Sequence, residues 1–153
     1  MDANTDIIRE LYAREALRGL ICDYCSAADS SDAERLEKLF HPGGLVDSGV
    51  IRARPKEFAA QFVMWLQQNT VSVFHAVCGA RFEISGERAT GDVQVLALCQ
   101  MRPSLGGGRI VTAGRYADEY VMHGGKWLIR ERIFKPKLSW DLSATPELRA
   151  DGT

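Results

Sequence analysis

Three residues are polar where the pattern around them is apolar, and their types are those of proton-transfer chemistry: Asp29, His75 and Arg132. A carboxylate that accepts from an imidazole makes an oriented general base. A guanidinium stabilises negative charge that develops as a proton leaves. Tyr24 belongs with them, because it lies on an apolar helix stripe and its hydroxyl needs a partner once buried. Each also has a plainer explanation. Asp29 follows Ala27 and Ala28 and reads equally as a loop residue ahead of the next helix. His75, inside Val71-Ser72-Val73-Phe74-His75-Ala76-Val77, reads as a core histidine with its hydrogen bonds met. Arg132, between Ile129 and Phe134, reads as a surface residue paired across a hairpin near Glu119 or Glu131.

The remaining reactive side chains point to no metal or cofactor. His41 follows Phe40 at an expected helix C-terminus, where an imidazole suits the dipole, and His123 stands beside Gly124-Gly125 in a turn. No spacing puts two histidines on one face, so no metal site is expected. Cys22 and Cys25 form a C-x-x-C, but late in a helix with no strand before it. With Cys78 and Cys99 they are expected to pack in the core as free thiols. Gly106-Gly107-Gly108 lies between strands, where no helix N-terminus could cradle phosphate.

The 153 residues carry a formal charge of −1, with 46% apolar and 25% charged side chains. That composition predicts one globular domain spanning residues 1–153, with its core over about 5–136. It gives no electrostatic reason to expect nucleic acid. No apolar run approaches the ~20 residues of a membrane span, and the first residues lack a signal pattern, so a cytoplasmic protein is expected.

Apolar spacing predicts a helix over 5–28, interrupted at Arg14 so that its first turns form a separate arm. Ser31-Asp32-Ala33-Glu34 reads as a capping box for a short helix stopped by Pro42-Gly43-Gly44. A short strand over 45–52 and a helix from Pro55 follow, the latter with Phe58, Phe62, Trp65 and Leu66 on its inner face. Residues 71–84, 88–102, 109–122 and 126–136 are Val-, Ile-, Phe- and Tyr-rich strands separated by glycine turns. Helices first and then a meander of long strands predict an α+β fold, three helices on a strongly bent, mainly antiparallel sheet. Such a cone needs its open end filled, by side chains or by a ligand, with Phe58, Trp65, Phe74, Tyr116 and Phe134 as the apolar wall. Val93, Val95, Val111, Ala113, Ala117 and Val121 are expected on the outer sheet face, for a homodimer or homotrimer. The tail over 137–153 has no assignable structure.

Tyr24-Cys25-Ser26-Ala27-Ala28-Asp29 ahead of a capped helix ending Leu39-Phe40 resembles the opening of SnoaL-like domains. Gly114-Arg115-Tyr116-Ala117-Asp118-Glu119-Tyr120, then Gly124-Gly125-Lys126-Trp127-Leu128-Ile129, resembles their last two strands. These belong to the nuclear transport factor 2-like superfamily, with a cystatin-like fold. The resemblance implies that Asp29 and His75 match the aspartate and histidine base of its hexachlorocyclohexane dehydrochlorinase and scytalone dehydratase members. It places Arg132 at the arginine of dehydrochlorinase-like relatives, and Tyr24 is similar to the tyrosine of bile-acid dehydratases. What it implies is a cofactor-independent lyase or isomerase acting on a small, largely apolar cyclic molecule. Three alternatives from the same superfamily stay open. One is a non-catalytic subunit such as the small subunit of an aromatic-ring dioxygenase. The others are a polyketide cyclase and an epoxide hydrolase, the last using Asp92 or Asp118 with Arg115.

Overall fold

Helix α1, Ala3–Asp29, is continuous and longer than the apolar stripe that predicts it. The computed structural model describes residues 3–143. From Leu17 onward the inner side chains Leu17, Leu20, Ile21, Tyr24 and Ala28 are buried, whereas Ile7, Ile8, Leu11 and Tyr12 are exposed. Arg14 marks the change without breaking the helix. It pairs with Glu10 one turn back, and its Nη1 donates to the Phe82 carbonyl at 3.0 Å.

Helix α2, Ala33–Lys38, is capped by Asp32, whose Oδ1 accepts from the Arg35 amide at 2.9 Å. The expected capping box therefore does not form: the cap falls one residue later, and Arg35 in place of an acid stands three residues on. Ser31 has φ 54°, a left-handed turn geometry, and a capping residue needs the extended backbone that Asp32 has. Strand β1, Phe40–Asp47, follows almost at once, so Pro42-Gly43-Gly44 lies in a strand and not at a helix stop. Pro42 is tolerated because the pairing slips between Phe40 and Leu45. Gly44 is required there, since a Cβ would stand 2.8 Å from the carbonyls of both His41 and Arg130. The two-residue β2, Arg52–Ala53, turns back on β1. Helix α3, Pro55–Asn69, opens with proline in its first turn and buries Phe58, Ala59, Val63 and Leu66.

Strands β3 (Thr70–Ser85), β4 (Arg88–Met101), β5 (Arg109–His123) and β6 (Lys126–Asp141) form the expected antiparallel meander. Strand β1 joins it parallel to β6, giving an open, mixed, six-stranded sheet in the order β2-β1-β6-β5-β4-β3. The α+β reading stands. Strand β6 runs past the expected end to Asp141 and takes in the start of the tail; residues 144–153 lie outside the described residues. None of the described helices is long and apolar enough to cross a membrane.

Pairing fixes which side chains share a face. On the helix-covered side, Ala80, Val93, Tyr116 and Phe134 make one row across four strands, and Phe82, Gly91, Asp118 and Arg132 make the next. A bulge at Cys78 shifts the alternation of β3, so His75 ahead of it shares that face with Phe82 beyond it. Phe74, Leu98, Val111 and Trp140 form a row on the opposite, uncovered side. Val93 and Val95, expected on that outer side, are core residues instead.

Glycine at 114 permits the Tyr116–Phe134 row, because a Cβ there would collide with the Phe134 ring and lie 2.8 Å from the Lys135 carbonyl. Gly114→Ala is expected to lower stability by about 1–3 kcal/mol through overpacking, read from the midpoint of urea unfolding. An unchanged midpoint would show that the ring moves freely.

Candidate active site

The end of α1 and the middle of β3 meet through one carboxylate. Asp29 Oδ1 lies 2.6 Å from His75 Nδ1, and both Asp29 oxygens stand 3.1 Å from the His75 backbone nitrogen. An ionised carboxylate only accepts, so Nδ1 donates in this contact, and Nε2 is the ring nitrogen left without a part in it. The imidazole is nearly enclosed and borders a cavity of about 510 Å³. Asp29 is thus not a loop residue: it is the last residue of α1, and its carboxylate holds the ring and main chain of His75.

Arg132 sits deeper in the same wall. Its side chain is 1% exposed, and it faces Asp118, directly opposite on β5. Nε donates to Asp118 Oδ1 at 2.9 Å and Nη2 to Oδ2 at 2.6 Å. The Tyr120 hydroxyl donates to the same Oδ2 at 2.5 Å. The guanidinium carbon lies 4.1 Å from the ring centre of Tyr24 and 4.0 Å from that of Tyr116. Its Nη1 is buried without a hydrogen-bond partner. Arg132 is therefore not the surface residue of the plainer reading. Glu119 and Glu131 pair with each other in the ladder, and Asp118 is the acid on the same face as Arg132.

Burial of this kind moves the titrations. Desolvation alone would lower the Arg132 pKa, but Asp118 outweighs it and holds the group well above its ordinary value. Burial raises the Tyr24 phenol, against a downward pull from the Arg132 cation, and raises Tyr116 further. Tyr120 is raised by burial and by the Asp118 charge. All three phenols keep their protons at neutral pH, and that of Tyr120 is donated to Asp118.

Tyr24, Trp65, Tyr116, Arg132 and Phe134 line the cavity with His75. Phe58 and Phe74 do not. Phe58 is fully buried on the core side of α3, and Phe74 points to the uncovered sheet face, 59% exposed. Adjacent strand residues alternate faces, so His75 on the cavity side excludes Phe74 from it. Phe62, Val46, Val73, Val95 and Ala97 complete the apolar wall, and the segment from Asp47 to Ile51 borders one side. That segment is held by its own hydrogen bonds, from Gly49 N to Asp47 Oδ1 at 2.9 Å and from Ile51 N to Ser48 Oγ at 3.0 Å.

Other sequence expectations are corrected here. His41 caps no helix: it lies in β1, its Nδ1 accepts from the Gly43 amide at 3.1 Å, and its ring meets that of His123 edge-on. The cysteines are free, but Cys22 and Cys78 are exposed and only Cys25 is buried; Cys99 borders the cavity. The Asp-Arg-Asp arrangement of an epoxide hydrolase does not assemble. Arg115 pairs with Asp92 at 2.7 Å, where both are about half exposed, while Asp118 is buried on Arg132. Among the described residues, no group of three or more His, Cys, Asp and Glu could hold a metal ion.

Residues 9–133 match the SnoaL-like domain model, a stretch that includes Asp29, His75 and Arg132. The chain belongs to the SnoaL-like family. Solved structures extend the comparison. A hexachlorocyclohexane dehydrochlorinase (LinA) of type 2 is 21% identical, covers 95% of this chain and 99% of its own, and superposes with a TM-score of 0.83. A putative scytalone dehydratase from Novosphingobium aromaticivorans is 20% identical over 86% of this chain and 89% of its own, with a TM-score of 0.76. A nuclear transport factor 2-like protein from Salmonella enterica serovar Typhimurium is 13% identical over 84% and 94%, with a TM-score of 0.76. At these identities the likeness is one of fold. No match to a curated protein sequence was found.

Two parts of this SnoaL-like domain's site were not singled out from the sequence as partners of Arg132: Asp118 and Tyr120. The signal was present, because Tyr116, Asp118 and Tyr120 alternate and must share one face of β5.

Asp118→Asn leaves the buried guanidinium uncompensated. It is expected to cost about 3–5 kcal/mol in chemical unfolding, and a loss below 1 kcal/mol would contradict the pairing. The thiols give a second check. Burial pushes the Cys25 pKa up to about 11, so iodoacetamide at pH 7.5 is expected to label Cys22 and Cys78 and spare Cys25 in the native protein. Peptide mass mapping would read this directly.

Proposed function

We propose that this protein is a cofactor-independent lyase or isomerase, in which His75 removes a proton from a small, largely apolar cyclic substrate. The observation that carries the reading is the Asp29–His75 contact of 2.6 Å on the wall of a cavity of about 510 Å³. Asp29 fixes the tautomer, and Nε2 takes the proton from a carbon next to the leaving group or carbonyl. In an elimination the C–H pair becomes the new double bond as the bond to the leaving group breaks. Tyr24 donates to the departing or enolate oxygen, and Arg132 stabilises the negative charge in a poorly hydrated wall. Trp65, Tyr116 and Phe134 hold the apolar body of the substrate. The likeness to a dehydrochlorinase and to a putative dehydratase supports the reaction class.

Hydroxylated and halogenated cyclic compounds would be screened for thermal stabilisation and the hits assayed for turnover. His75→Gln and Asp29→Asn are each expected to reduce turnover by about 10²-fold or more. The thermal midpoint should stay near that of the wild type, and substrate-derived product should carry solvent deuterium wherever proton return occurs. Full turnover in either folded variant would end the general-base reading.

We also propose that the uncovered sheet face joins copies of the chain into a homodimer or homotrimer. The row Phe74, Leu98, Val111 and Trp140 supports this, with Phe74, Leu98 and Trp140 exposed. Light scattering on a sizing column is expected to show an oligomer that Trp140→Arg dissociates. A monomeric wild type would dismiss it.

A further inference from the structure

Asp118 and Tyr120 do not border the cavity, yet the group they hold does. Arg132 lines the wall with Tyr24 and Tyr116, while Asp118 lies behind it on β5. Of the two edges of the guanidinium, the Nε–Nη2 edge is taken by both Asp118 oxygens at 2.9 and 2.6 Å. That is one of the two edges with which arginine grips a carboxylate or phosphate through parallel bonds. At the other end, Nη1 is buried and without a partner. A buried unpaired N–H carries a desolvation cost, which an acceptor brought against this wall would offset.

Charge tells the same story. Asp118 cancels the arginine locally, Asp29 stands behind His75, and Asp47 borders the cavity. Among the described residues that line the cavity, no uncompensated cation is left to attract an anion.

Tyr120 locks this arrangement from the far side. Its hydroxyl reaches Asp118 Oδ2 at 2.5 Å because its ring lies across bare Gly91, where a Cβ would come within 2.7 Å of the ring. Gly91 is itself the β4 residue paired with Asp118.

We propose that Asp118 and Tyr120 are positioning residues that determine the specificity of this cavity. By holding the Nε–Nη2 edge of Arg132 and compensating its charge, they leave a neutralised guanidinium with only its Nη1 end uncommitted. The site therefore selects an uncharged molecule with an acceptor atom over a carboxylate or phosphate of the same size. This rests on the reading of the cavity as a ligand site, but not on the reaction proposed for it.

The test measures binding, not turnover. Cyclohexanol and cyclohexanecarboxylate share a ring and differ in charge, and each would be titrated into the full-length protein by calorimetry at pH 7.5. The wild type is expected to favour the alcohol by tenfold or more. Tyr120→Phe, which removes only the lock on Asp118, is expected to shrink that ratio at least threefold, and Gly91→Ala to do the same by displacing the Tyr120 ring. Asp118→Asn, which frees the charge, is expected to reverse the preference. A purely structural pair would lower stability in these variants and leave the ratio alone. Equal or tighter carboxylate binding by the wild type overturns the proposal, as does an unchanged ratio in Tyr120→Phe; both measurements stand even where Asp118→Asn fails to fold. Binding of neither probe overturns it along with the ligand-site reading. The expected ratios together with an active His75→Gln variant would leave this proposal standing while the general-base chemistry fell.

Discussion

A guanidinium in the interior of a small domain has to be compensated, and that requirement organises the sheet. Arg132 is fully desolvated, so a register that left it opposite an apolar residue would carry several kcal/mol of unpaired charge. The pairing of Asp118 with Arg132 fixes how β5 and β6 meet. Two residues toward the cavity, the same register sets Tyr116 against Phe134, and the guanidinium lies against the rings of Tyr24 and Tyr116. Val46 on β1 pairs with Arg132 from the other side and is buried there. Helix α1, both central strands and β1 thus converge on one cation.

The second tie runs from the last residue of α1 to β3. A single carboxylate serves a ring nitrogen and a main-chain nitrogen of the same residue, so it fixes both the strand position and the ring orientation. Glycine makes room for the large side chains that close the site. Gly91 lies under Tyr120 and Gly114 under Phe134, and in both places a methyl group would collide. Bare backbone under aromatic rings is how the strands bring bulky groups inward without separating.

Much of this was readable from the chain, and the reasons for the misses are specific. Asp29, His75 and Arg132 stood out because their polarity broke a local period, and the structure places all three around the cavity or its orienting contact. Their partners were less readable, since 46 residues separate Asp29 from His75 and no local spacing encodes that closure. Glu119 and Glu131 looked like partners for Arg132 by proximity in sequence, but strand alternation puts them on the other face. The same rule excludes Phe74 once His75 is assigned inward. Pro42-Gly43-Gly44 read as punctuation, and only the slipped pairing with β6 lets those residues sit in a strand. Phe58 and Trp65 show the limit of helical spacing: both fall on the inner stripe of α3, but Phe58 packs in the core while Trp65, 41% exposed, reaches the cavity.

The bulge at Cys78 divides β3 into two stretches with opposite parity. Odd-numbered residues Val73 and His75 face the cavity, whereas even-numbered Ala80, Phe82 and Ile84 pack against the core cluster. Removing that one residue would make the ladder regular from Ser72 onward at the cost of inverting one part of the strand. Either His75 would trade places with Phe74, or Phe82 would trade places with a charged neighbour. The extra residue lets two incompatible reading frames share a strand, so length is as constrained there as residue type. The wall of this cavity accepts substitution far more readily than insertion or deletion in β3.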